Sequence, residues 1–351
     1  MLVGHSKELF RCSLKIMTIL LVFLLMCLGA IGYAQHNHTH IRHRIHALLD
    51  GCEDICVTKI EGLPSLFFPE IRKRVNCSGL LLNTAIDEGR PIGPSPRIPP
   101  EMKAAFSYDG RVPIVPYPGG GPARVNAGIL FNEQYVGKEA KVSVWQKEKI
   151  DQWKRECKAG TLGGNYGKAE TQAVFDGLSQ MASVRNGGHV LVIGSEIPWV
   201  EACVLAANAS LVTTLEYGKI TSHHPQVLSM TPFDMHRLYA QHLLPDFDAV
   251  VTFSSVEHSG LGRYGDGLNP WGDLQTLGRA WCMTKSRGEL LIGVMTALGK
   301  EDEEGIERIE FNAHRIYGPL MFSHLLANWK QKWRAPTGDQ RVYVLERMDP
   351  V

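Results

Sequence analysis

Glu216 follows Gly194 by 22 residues. That interval matches the roughly 20 residues that separate a phosphate-side glycine from a ribose-binding carboxylate in a nucleotide-binding fold. A carboxylate at such a position can accept hydrogen bonds from both hydroxyls of a ribose. Further along stand residues able to handle a proton. Glu257 and His258 are adjacent, Asp266 lies in a glycine-rich loop, and His314 precedes Arg315 and Tyr317. Histidine titrates near neutrality, so His258 and His314 are candidate bases, with Glu257 placed to orient His258.

The segments around these residues read as the elements that would hold them. His189–Ile193 is a short β-branched apolar run after the turn Asn186-Gly187-Gly188, the pattern of a strand buried on both faces. Gly194 breaks it, and Pro198 suits the first turn of a helix over Trp199–Ala207. Leu211–Leu215 is a second buried strand that ends at Glu216. Gln226–Thr231, Phe247–Phe253, Glu289–Met295 and Gln340–Glu346 read as further strands. Lys141–Lys158, Lys168–Ser183, Pro270–Met283 and Tyr317–Trp329 read as helices, Lys285–Gly288 as a turn, and Thr296–Arg308 as an acidic insertion. Strand–helix alternation from His189 onward predicts a mostly parallel, doubly wound α/β sheet.

Composition narrows the partners. Lys+Arg is 37 against Asp+Glu 36, so no basic field exists to neutralise phosphates, and nucleic acid is not an expected partner. Ile16–Ala34 is apolar and uncharged, with Lys7, Arg11 and Lys15 before it. This predicts secretory-pathway entry through a signal anchor, which makes a single-pass type II membrane protein with a lumenal domain; the alternative is a cleaved signal peptide and a secreted protein. The expected organisation is residues 1–35 as cytosolic tail and anchor or signal peptide. Residues 36–140 form a histidine-rich stalk and an irregular Cys- and Pro-containing region, and residues 141–351 form the α/β domain. Tyr117–Pro122 is a flexible glycine stretch without the Lys-Ser/Thr of a phosphate loop. No CxxC occurs, and no metal is expected. Cys52, Cys56, Cys77 and Cys157 are candidates for disulfides in an oxidising compartment, whereas Cys203 and Cys282, inside predicted core helices, read as buried free thiols.

The segments FDAVVTFSSVEH (Phe247–His258) and LGRAWCMTKSRGELLIGVM (Leu277–Met295) make the resemblance specific. With His189–Glu216 they resemble, in order, strands and turns of the class I S-adenosylmethionine-dependent methyltransferases, over about half the chain. SSVEHSGLGRYGDGLNPWGDL (Ser254–Leu274) and FNAHRIYGP (Phe311–Pro319) are similar to an uncharacterised family, a domain of unknown function best known from nematodes. The resemblance implies a methyltransferase-type Rossmann-like fold with S-adenosylmethionine as cofactor. Gly194, Ser195 and Glu196 would then lie beside its methionine part, Glu216 on the ribose, Asp234 on the adenine amino group, and Ser254 and Ser255 at the carboxyl edge of the sheet. His258, Glu257, His314 and Asp266 would serve catalysis on an acceptor hydroxyl. A small molecule or a glycan is the expected acceptor, since a polar, aromatic loop such as Arg263–Asp273 suits polyols. The first loop departs from that superfamily, with Gly194 as its one glycine and Ile197 and Trp199 beside it. The alternative expectation is a catalytically inactive, membrane-tethered scaffold of the same fold. A glycosyltransferase would need an acidic metal motif, for which Asp246-Phe247-Asp248 has only the spacing.

Overall fold

The computed structural model describes residues 39–59, 70–88, 97–117, 125–126, 129–130, 142–264, 266–297, 306–336 and 340–349. Residues 1–46 and 47–351 form two compact units. In the first, residues 39–46 are helical. The apolar leader Ile16–Ala34, residues 118–122 of the glycine stretch and residues 298–305 of the acidic insertion lie outside the described residues. Among the described residues no helix is long and apolar enough to cross a membrane.

The second unit opens with α1 (Cys77–Leu82), α2 (Pro100–Phe106) and β1 (Ile114–Pro116). It continues through β2 (Ser143–Trp145), α3 (Lys147–Lys158), α4 (Lys168–Gln180), β3 (His189–Ile193), α5 (Trp199–Ala206) and β4 (Leu211–Leu215). Next come β5 (Ile220–Ser222), β6 (Val227–Met230), α6 (Pro232–Ala240), β7 (Phe247–Phe253), α7 (Gly272–Met283) and β8 (Thr284–Met295). The chain closes with β9 (Arg308–Phe311), β10 (His314–Ile316), α8 (Pro319–Leu325), β11 (Trp329–Arg334) and β12 (Gln340–Arg347).

Seven strands make the central sheet, in the order β11-β12-β8-β7-β3-β4-β6. Strands β3, β4, β6, β7 and β8 are parallel; β12 is antiparallel to both β8 and β11. Val190 pairs with Val212 on one side and Ala249 on the other, and all three are buried. Such strands lose water on both faces, which is why they carry continuous Val, Ile and Leu rather than alternation. Helices α3, α4 and α5 pack together on one face around Val174, Leu178, Val200 and Val204. Helices α6 and α7 lie beneath α1, and α8 packs on α7. The fold is therefore α/β, with a mixed, mostly parallel central sheet.

The element boundaries differ from expectation in places that have physical causes. The expected Lys141–Lys158 helix is a strand followed by a helix, because Val144 pairs with Thr221 of β5. The expected Lys285–Gly288 turn is a register shift inside β8, with Arg287 at φ 60°. The expected Tyr317–Trp329 helix stops at Leu325, since Asn328 adopts φ 67° and its amide side chain pairs with the Lys73 backbone at 2.8 Å in both directions. Trp329 then begins an edge strand that sequence patterning missed.

Cys203 and Cys282 are not free thiols. Cys157 of α3 is bonded to Cys203 of α5, Cys77 of α1 to Cys282 of α7, and Cys52 to Cys56. Helix packing brings each inter-helix pair to a Cα separation of 5.5 Å, inside the range a disulfide spans. The Cys77–Cys282 bond fastens the N-terminal segment to the core helix, and Ile55 and Leu80 contact the same helix at Gly278.

Candidate active site

A cavity of about 170 Å³ opens at the carboxyl edge of the sheet. Strand β3 delivers Gly194 there, β4 delivers Glu216, and β7 delivers Ser254 and Ser255. This is the edge where α/β folds hold ligands. Gly194 has φ 73°, and a Cβ on it would lie 1.8 Å from the Ser255 hydroxyl oxygen. Only glycine permits that turn and that approach. The Gly194 amide donates to the Leu215 carbonyl at 3.1 Å, so the first loop is stitched to the end of β4.

The loop is held from below by a carboxylate that sequence reasoning missed. Glu201 of α5 is fully buried and accepts from the Ser195 hydroxyl at 3.0 Å and the Thr214 hydroxyl at 2.8 Å. Burial pushes its pKa up to about 7. Its sequence signal was an acid inside an otherwise apolar helix, WVEACVLA. Glu216 sits at the cavity wall, and the Tyr217 amide donates to its carboxylate at 2.8 Å. Burial raises Glu216 to about 7, partly offset by the backbone amides of Tyr217, Gly218 and Ser195.

Tyr166, Trp199, Phe253 and Tyr264 give the cavity aromatic walls. Trp199 packs edge-on against Phe253 at 5.3 Å, and Tyr166 does the same at 5.2 Å. Trp199 is thus a wall of the cleft and leaves it open, and Ile197 packs on the core instead. At the far end Arg279 and Asp87 pair at 2.8 Å. The Tyr217 hydroxyl donates to Asp87 at 3.2 Å, and His236 meets it at 2.8 Å. The N-terminal segment therefore supplies part of the cavity, which residue spacing in the sheet domain could not reveal.

His258 reaches the cavity, fully packed between Tyr264 and the hairpin of β9 and β10. Its Nδ1 lies 2.6 Å from the Ala313 carbonyl, which assigns the proton to Nδ1 and leaves Nε2 as acceptor. Burial, with Arg263 nearby, depresses its pKa to about 3. At the cavity wall it is a weak base, held by its Nδ1 hydrogen bond to Ala313.

Asp266 lines the cavity but is spent on its own loop: it accepts from the Gly260 amide at 2.6 Å and the Tyr264 amide at 3.3 Å. His314 lies behind His258, with ring centroids 6.1 Å apart, and pairs with Glu310 at 3.1 Å; it does not line the cavity. Asp234 does not line it either. Its carboxylate forms a capping box with Thr231 and pairs with Arg237, the work of a helix start. Glu257 is fully buried one layer below the cavity surface.

Asp273 pairs with the buried Arg315 at 3.3 Å and accepts from the Tyr317 hydroxyl at 3.0 Å. Asp246-Phe247-Asp248 sits at the opposite end of β7 from the cavity, where Asp248 accepts from the His189 amide and pairs with Lys285. Among the described residues no three His, Cys, Asp or Glu side chains cluster to hold a metal ion.

The cavity thus gathers Gly194, Ser195, Glu196, Glu216, Ser254, Ser255, His258 and Asp266 around one space. Residues 187–337 match the family model described as Caenorhabditis protein of unknown function, DUF268. That range contains both segments on which the nematode-family resemblance was read. No curated protein matches the chain.

Solved structures similar to the chain include an O-methyltransferase family protein from Burkholderia thailandensis, at 14% identity and TM-score 0.33. The match covers 51% of this chain and 57% of that one, so the chain spans little more than half of that relative. A second is the 1,6-didemethyltoxoflavin-N1-methyltransferase of the same organism, solved with 1,6-didemethyltoxoflavin and S-adenosylhomocysteine. It is 13% identical with TM-score 0.36, over 58% of this chain and 91% of that one. A third is the N-methyltransferase NodS from Bradyrhizobium japonicum, at 11% and 0.32, over 54% and 100%.

Proposed function

We propose that the protein binds S-adenosylmethionine in this cavity and methylates a hydroxyl group. The observation that carries the reading is the meeting of Glu216 and the Gly194 turn at one open cavity on the carboxyl edge of the sheet. The residues present fit the cofactor. Glu216 offers a carboxylate for two ribose hydroxyls, and Tyr217 and Pro232 extend the wall beside it for an adenine ring. The Gly194-Ser195 backbone, kept in place by Glu201, provides polar groups for the amino acid end. When bound, the cofactor supplies an electrophilic methyl group on a sulfonium. The aromatic faces of Tyr166, Trp199 and Phe253 suit a cation there.

The chain's own contribution is to orient the acceptor and exclude water. His258 Nε2, as a neutral acceptor at the cavity wall, can hold an acceptor hydroxyl by hydrogen bonding without taking its proton. The Arg263–Tyr264 stack and the Asp266-braced loop line the approach, a polar and aromatic surface suited to a glycan or another polyol. A lumenal setting in the secretory pathway is supported by the three disulfides, which persist in oxidising compartments.

The reading is tested by calorimetric titration of the purified chain with S-adenosylhomocysteine. Saturable binding supports it. A folded protein that gives no heat at millimolar ligand refutes it. Location is tested separately by microscopy and by glycan-sensitive mobility of the expressed chain; a cytosolic, unmodified protein refutes the lumenal assignment.

A further inference from the structure

His258 is committed through Nδ1 to the Ala313 carbonyl and is a weak base, and a second acid lies close to the cavity. Directly below the cavity lies Glu257, fully buried. Neither of its carboxylate oxygens has a partner at full hydrogen-bond geometry, and the polar groups that face it are the Ser254 hydroxyl and the backbone of Ser255. A buried carboxylate left this way is costly, and nothing in the packing of the sheet requires one.

Ser254 stands between that carboxylate and the cavity, whose wall it forms. Its backbone is in the left-handed region, with φ 49°, which is uncommon for a residue with a side chain. The hydroxyl receives a hydrogen bond from Gln340 Nε2 at 2.8 Å, and Tyr166 lines the same cavity wall. A hydroxyl has two lone pairs and one proton. With Gln340 on one lone pair and the other facing the cavity, where an acceptor hydroxyl can donate, the Ser254 proton is directed to Glu257.

We propose that Ser254 and Glu257 form a proton relay, in which Ser254 takes the proton of the acceptor hydroxyl as it passes its own to the buried carboxylate. This rests on the hydroxyl-acceptor reading above. The acceptor O–H bond breaks and a new Ser254 O–H forms; the original Ser254 O–H breaks and a Glu257 O–H forms. The bonding pair stays on the acceptor oxygen, which becomes the nucleophile, and no oxidant or reductant is involved. Ser254 touches the acceptor, and Glu257 acts through it. The charges and titratable groups facing Glu257 are Arg263 from the loop, Arg315 and Tyr317 from the β10 side, and Tyr166 and Tyr264 at the cavity. Burial outweighs them and holds the Glu257 pKa near 7, where a base working at neutral pH is most effective.

The test is infrared difference titration of the full chain between pH 5 and 9. The carboxylic acid band that disappears in Glu257→Gln reports Glu257 alone. Its loss should centre near pH 7 in the unaltered protein. Ser254→Gly suits the positive φ, so it removes the hydroxyl without steric cost and folds; it should raise the midpoint by about one unit, because a hydrogen bond to the charged form is gone. A Glu257 that stays ionised down to pH 5, stays protonated up to pH 9, or ignores Ser254→Gly overturns the relay. Should Glu257→Gln not fold, the band that moves in Glu257→Asp makes the assignment, since Glu201 and Glu216 also titrate near pH 7, and the shift in Ser254→Gly then decides the matter. Titration with S-adenosylhomocysteine is read independently, so loss of cofactor binding and loss of the relay are separate results.

Discussion

The Ser195 hydroxyl donates to the Glu201 carboxylate at 3.0 Å, entirely within the protein. The loop that faces the cavity thus rests on a buried acid whose folded pKa is about 7, above its ordinary value of 4.5. The sign follows from linkage. Protonation favours the folded state, so stability is greatest below about pH 4.5 and falls as pH rises to 7, where the penalty is complete. Glu201→Gln keeps the shape and removes the charge. It should be neutral below about pH 4 and stabilising by about 2 to 3 kcal/mol at pH 8.5, read from urea unfolding at each pH. His258 and His324 titrate identically in both proteins and cancel from the comparison.

Gly194 has a sharper requirement. Gly194→Ala brings a Cβ onto the Ser255 hydroxyl at φ 73° and should cost more than about 2 kcal/mol. Adding Ser255→Gly removes the clash and leaves only the strain, about 1 kcal/mol. Thermal unfolding of the single and double variants checks this. A double variant no better than the single would place the cost elsewhere.

Asp273 and Arg315 form a fully buried ion pair that ties α7 to β10 behind His258. Asp273→Asn leaves Arg315 without its counter-charge and should cost about 3–5 kcal/mol, measurable as a lowered urea midpoint. A change below 1 kcal/mol would show that the Ser259 carbonyl, 2.6 Å from Arg315 Nη1, suffices alone.

The Cys77–Cys282 bond closes a separation of 205 residues and Cys157–Cys203 one of 46. Replacing each pair by alanine should destabilise the chain by about 4–5 kcal/mol, with the longer loop costing about 1 kcal/mol more. The first replacement should also weaken ligand binding, because it frees the segment that carries Asp87 into the cavity wall. Calorimetry on both variants separates the two effects.

The buried parallel strands were legible because nothing else explains short β-branched runs ended by Gly194, Glu216 and Ser254. His189–Ile193, Leu211–Leu215 and Phe247–Phe253 fall where residue patterning put them. Edge elements were not legible. β11 carries Lys330, Gln331 and Lys332 on a largely exposed strand, and β9 and β10 are short enough that pairing, not pattern, defines them.

Site residues that follow strand ends were readable by spacing. Those set by tertiary contact were not. Asp234 became a cap and His314 a partner of Glu310. Asp87, 107 residues before Gly194, reached the cavity through helix packing and a disulfide.

Glu216 is the residue proposed to hold the ribose of an S-adenosylmethionine-type ligand. Calorimetric titration with S-adenosylhomocysteine should show one saturable site in the unaltered chain. Affinity should weaken as pH falls below 7 and Glu216 takes up its proton. Glu216→Ala should abolish the heat while the far-ultraviolet dichroism is unchanged. Retained affinity in Glu216→Ala, or no binding at millimolar ligand by the folded chain, would contradict the account.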